Sequence, residues 1–86
     1  MHEHSLMADL LRKIEQVAAD NNAERVTRVR VWLGALSHIT PEHFREHFED
    51  STRGTLAEGA ELEVEASDDD THPEAQQILL RNLDVV

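Results

Sequence analysis

The chain has 86 residues, 8 basic and 18 acidic side chains for a net charge of −10, six histidines and no cysteine. That length supports one small domain, burying about 60% of the surface its unfolded chain would expose. Lack of cysteine excludes a disulfide framework and thiolate-held zinc or iron–sulfur, and no apolar run approaches the roughly 20 residues of a membrane span. Charge is also uneven, with five basic and six acidic residues in 1–43 against three and twelve in 44–86. So acidic a surface repels nucleic-acid phosphates and anionic membranes, and favours cations and basic protein surfaces. The opening MHEHSLMADLLRK lacks the basic start and small-residue cleavage site of a secretory signal. The expectation is a cytoplasmic protein with a single domain over 1–86, without membrane or nucleic-acid partners.

Taken in chain order, Ser5 is placed to cap a first helix. Leu6, Leu10, Leu11, Ile14, Val17 and Ala18 form its apolar stripe, at spacings of three and four. Asp20-Asn21-Asn22 is the expected stop. Val26–Leu33 alternates as a strand, with Val29, Val31 and Leu33 on one face and Arg28, Arg30 and Trp32 on the other. A second helix follows, with Thr40 as N-cap, Pro41 in its first turn and Glu42 beside the positive helix end. Ile39 and Phe44 fit a hydrophobic staple, Phe44 and Phe48 form an i, i+4 pair, and Gly54 ends the helix.

Ala60–Ala66 reads as a second strand, with Leu62 and Val64 inward and Glu61, Glu63 and Glu65 outward. Residues 67–73 form a polar turn, and Gln77–Val86 a third strand. There Ile78 and Leu80 share a face, and the period slips before Leu83 and Val85, which predicts a bulge. The fold class is therefore α+β in the order α-β-α-β-β, two helices on one face of a three-stranded mixed sheet. The opposite face is expected to be open, presenting Arg28, Arg30, Trp32 and the strand glutamates. Arg28, Arg30 and Trp32 are thus partner-binding candidates, and open sheet edges allow a homodimer.

Three constellations carry potential chemistry. At Met1-His2-Glu3, the free amine, the next amide nitrogen and the His2 imidazole can close adjacent chelate rings around Ni(II) or Cu(II). Glu3 can add an oxygen or orient the ring, and His4 is an additional candidate ligand; a loose terminus with an accidental histidine is the competing reading. His43-Phe-Arg-Glu46-His47 fits the H-x-x-E-H pattern of inverted zinc proteases, but no third ligand is identifiable, and flanking residues of a helix face explain it as well. Asp68-Asp69-Asp70-Thr71-His72 lacks the glycine and distal glutamate of a calcium loop and reads as a solvated turn. No nucleophile motif or glycine-rich phosphate loop is present, so no catalytic residue is assigned and the chain is read as a non-enzyme.

MHEHSL, VTRVRVWLGALSHITPEHF, RGTLAEGAELEVEA and the closing ILLRNLDVV, in this order, resemble the HypA/HybF family of hydrogenase nickel-incorporation proteins. The resemblance implies a metallochaperone with Met1, His2 and Glu3 as its Ni(II) site. It also implies a maturation GTPase (HypB-like) and the hydrogenase large subunit as partners, with urease a further recipient. Family members insert a zinc ribbon between the second and third strands; here 67–73 stands in its place, and no structural zinc is expected. Three functions compete: a nickel chaperone lacking the zinc arm, a metal-free module docking on maturation partners, and a hydrolase using His43 and His47.

Overall fold

The computed structural model describes residues 3–86, with side chains from Ser5 onward. Its elements are α1 (Glu3–Asp20), β1 (Val26–Leu33), α2 (Pro41–Thr52), β2 (Glu61–Ala66) and β3 (Ile78–Val85), the expected order. The sheet runs β2-β1-β3, with β2 parallel and β3 antiparallel to the central β1.

Helix α1 starts earlier than the sequence suggested. Ser5 lies inside it rather than capping it, since helical backbone already begins at Glu3. Its core stripe is Leu6, Met7, Leu10, Ile14 and Ala18; Leu11 is half-buried, and Val17 is 37% exposed rather than part of the core. Helix α2 begins as read. Thr40 has extended backbone and its Oγ1 accepts from the His43 N–H at 3.1 Å, satisfying one of the donors a helix start leaves open. The helix ends at Thr52, and Gly54 adopts φ +78°, a conformation costly for residues with a Cβ.

Both helices cover one face of the sheet, where Val29, Val31 and Leu33 of β1 meet Phe44 and Phe48 of α2 and the α1 stripe. Two bulges tune this face. Pairing shifts between Val26 and Arg28, leaving Thr27 as the extra residue, so Val26 joins Val29 in the core despite the odd spacing. Pairing shifts again between Arg30↔Asn82 and Val31↔Leu80, leaving Arg81 as the extra residue of β3. This is the predicted period slip, and it keeps Leu80 and Leu83 packed on the core.

The strand order dictates where the β2–β3 connection runs. β1 and β2 end together, at Leu33 and Ala66, whereas β3 begins opposite Leu33 on the far side. Residues 67–77 must therefore cross the exit of β1. They are stitched to it: Ser67 N–H donates to Leu33 O at 2.9 Å, Gly34 N–H to Gln77 O at 2.9 Å and Leu36 N–H to Ala75 O at 2.7 Å. At Gly34 a Cβ would lie 2.1 Å from the Ala75 carbonyl oxygen, so only glycine admits the crossing.

Candidate functional site

Met1 and His2 lie outside the described residues, as do the side chains of Glu3 and His4. The backbone at Glu3 and His4 is helical, which puts Glu3 in the first turn of α1. There the helix dipole favours an acidic residue and a deprotonated amide, and opposes a bare cation.

On α2, His43 and Glu46 are exposed, while His47 is half-buried with its Nδ1 shielded from solvent. Among the described residues, no three His, Asp or Glu side chains gather where one metal ion could be held. The aspartate turn is held together from within. Asp69 Oδ1 accepts from Thr71 Oγ1 at 2.7 Å and from the Thr71 N–H at 3.0 Å, and Ser67 Oγ accepts from the Asp69 N–H at 3.1 Å. These donors, the Thr71 hydroxyl first, hold the Asp69 carboxyl below the usual carboxylate range. His72 Nδ1 accepts from the Glu74 N–H at 2.9 Å.

The sheet face opposite the helices is where structure and sequence part. Trp32 does not lie open on it. The residue is 4% exposed, with the His72 ring tilted against the indole at a centroid distance of 4.8 Å and the Arg81 guanidinium 5.6 Å from its centroid. The crossing connection covers it, and alternation within β1 alone carries no information about a distant segment. Arg28 and Arg30 do reach the surface, but inside a ladder of their own. Arg28 Nε and Nη2 donate to Glu61 Oε2 at 2.9 and 2.7 Å, and Arg28 also lies 3.4 Å from Glu63. Arg30 lies 3.3 Å from Glu63 and 3.6 Å from Asp84, and its Nη1 donates to Asn82 Oδ1 at 2.5 Å. The register explains this, since Arg28 faces Glu61 and Asp84 while Arg30 faces Glu63 and Asn82. The hydrogen bonds that Arg28 donates to Glu61 chiefly raise its pKa above the ordinary value.

Sequence reasoning missed Arg81. Its signal was the slipped periodicity before Leu83, because the residue at a bulge is released from the ladder and can be re-aimed. Arg81 lines a groove of about 340 Å³ on this face with Arg30, Glu63, Glu65 and Asn82.

The family described as "Hydrogenase/urease nickel incorporation, metallochaperone, hypA" matches residues 1–72. The hydrogenase maturation factor HypA of Methylocella silvestris is 42% identical over 65 residues, covering 76% of this chain and 58% of that protein. HypA of Aquifex aeolicus is 45% identical over 65 residues, covering 76% and 56%. The chain thus spans little more than half the length of the curated relatives it matches. The solution structure of the Ni metallochaperone HypA from Helicobacter pylori superposes with a TM-score of 0.80 at 18% identity, covering 100% of this chain and 98% of that one. That likeness shows the two-helix, three-strand fold. The family match stops at residue 72, so β3 is matched by fold rather than by family sequence.

Proposed function

Since the chain belongs to the hydrogenase/urease nickel-incorporation metallochaperone family, whose members are maturation factors and not catalysts, we propose that it binds Ni(II) at its N-terminus and hands the ion to an immature nickel enzyme. Supporting this reading above all, the family match starts at residue 1 and so includes Met1-His2-Glu3. The terminal amine, the amide nitrogen and the His2 imidazole supply nitrogen donors, and Glu3 an oxygen or an orienting contact. Amine and amide must lose protons to bind, so affinity rises with pH and falls on acidification. A chelate at a chain end exchanges ligands without opening a closed cage, which suits delivery rather than storage.

The finer assignments belong to the same reading. The recipient is a NiFe hydrogenase large subunit, with a maturation GTPase assisting and urease as a second recipient, in the cytoplasm. Residues 67–73 stand where the family resemblance puts the zinc ribbon, and without cysteine they hold no thiolate-bound zinc. His4 is an accessory donor, and docking uses the sheet face that displays Arg28 and Arg30 above the covered Trp32. A catalytic role for His43, Glu46 and His47 has no place in a family of delivery proteins.

A calorimetric Ni(II) titration of the free-amine protein beside the same chain acetylated at its N-terminus tests the site. One-to-one binding abolished by acetylation supports it. Equal binding in both moves the site to the α2 histidines or the 67–72 turn, and no binding in either leaves a metal-free docking module.

A further inference from the structure

On the open sheet face, charges are matched at one end and unmatched at the other. Glu61, Glu63 and Asp84 occupy Arg28 and Arg30. The remaining charges of this face, Arg81 on β3 and Glu65 on β2, flank Trp32, and neither forms an ion pair or side-chain hydrogen bond among the described residues. They cannot reach one another easily, because β1 lies between them and Arg81 is offset along β3 from the Leu79 that faces Trp32, so their backbones are more than two interstrand spacings, roughly 9–10 Å, apart. Two further features prepare Arg81 as a receptor. The bulge frees its side chain from the ladder, and its guanidinium lies 5.6 Å from the Trp32 ring centroid, a cation–π contact that uses none of its N–H donors. Both residues line the groove of about 340 Å³, within the range of ligand clefts.

We propose that this groove docks an extended peptide segment of a client protein, one carrying an acidic and a basic side chain two residues apart, with the carboxylate on Arg81 and the cation on Glu65. In extended chain, residues two apart share a face at roughly 7 Å, close enough for long side chains to reach both anchors. A purely acidic segment would meet Glu63 and Glu65, and a purely basic one Arg30 and Arg81, so mixed charge is what the groove complements. Arg28, Arg30 and Trp32 then act as the fixed frame of the dock rather than its contacts. That the client is the metal recipient rests on the nickel-delivery reading; that the groove binds mixed-charge peptide does not.

The experiment uses the full chain without metal and the peptide acetyl-Ala-Glu-Ala-Lys-Ala-amide, followed through the Trp32 indole N–H resonance. Trp32 is the single tryptophan, so the signal is unambiguous. Expected is a saturable millimolar-range shift, with the dissociation constant raised about two- to fivefold in both Arg81→Gln and Glu65→Gln, the loss of one exposed charge pair. Arg12→Gln on α1 should leave it unchanged. Because Arg81→Gln alters the stack on Trp32 directly, Glu65→Gln, across the sheet, is the decisive variant. No saturable shift, equal binding of the peptide with both charges replaced by glutamine, or unchanged affinity in Glu65→Gln would each overturn the proposal. Since nickel is absent, failure of the groove and failure of the N-terminal chelate are read separately.

Discussion

On one face of the sheet, Val29, Val31 and Leu33 are sealed beneath Phe44, Phe48 and the α1 stripe; on the other, Arg28 and Arg30 are clasped by Glu61, Glu63 and Asp84 in view of solvent. The first face holds the fold by removing apolar surface from water, a term that scales with area and resists salt. The second contributes register, because each arginine is matched to the residues opposite it, but exposed ion pairs add little stability. Trp32 breaks the division. It is a large apolar side chain on the ionic face, buried because the β2–β3 connection crosses above it. A three-stranded sheet with helices on one side thus acquires a local second layer built from a turn.

The largest expected effect comes from emptying the helix-covered face. Phe44→Ala should cost about 3–5 kcal/mol, a large share of the roughly 5–15 kcal/mol typical of whole domains, read from urea unfolding followed by Trp32 fluorescence. Gly34→Ala probes the second layer. Its Cβ would overlap the Ala75 carbonyl, so a loss of about 1–3 kcal/mol is expected, with red-shifted Trp32 emission in the folded baseline. An unshifted spectrum would mean that the connection does not need this close crossing. Thr40→Ala removes the α2 cap and should cost about 1 kcal/mol, visible as a lower melting temperature with the same spectrum. Arg28→Gln should cost less than any of these, and the difference from wild type should shrink further in molar salt. A large, salt-resistant loss would show that the two faces are not held so differently.

The smallest expected effect is in acid. The Asp69 carboxyl is depressed in the folded state by the Thr71 donors. Its contribution is therefore present above the unfolded value, about 3.9, and disappears as pH falls through the lower folded value. Trp32 emission should record this as loosening of the 69–72 turn, and Asp69→Asn should flatten that part of the acid titration. Equal acid titrations in the two proteins would remove Asp69 as the latch of that turn.

Much of the local structure is legible along the chain. Thr40-Pro41-Glu42 announces a helix start whose backbone N–H groups need an acceptor, and Gly54 a position that tolerates φ +78°. Leu62 and Val64 alternate with three glutamates, and the slip before Leu83 announces the bulge at Arg81. Ser5 misled because a good capping residue is also tolerated one turn into a helix. The nickel motif is legible only as a sequence, since its side chains lie outside the described residues.

The sequence by itself determined the five elements, most of their inward-facing residues and the family, because these depend on the periodicity and order of residues near one another in the chain. Tertiary structure alone decided that β1 is central, that the connection must therefore cross its exit, that Trp32 is covered, and that on the open face Arg81 and Glu65 have no ion-pair partner among the described residues. Those outcomes depend on which strand lies beside which, and pairing between distant segments leaves no period in the sequence to read.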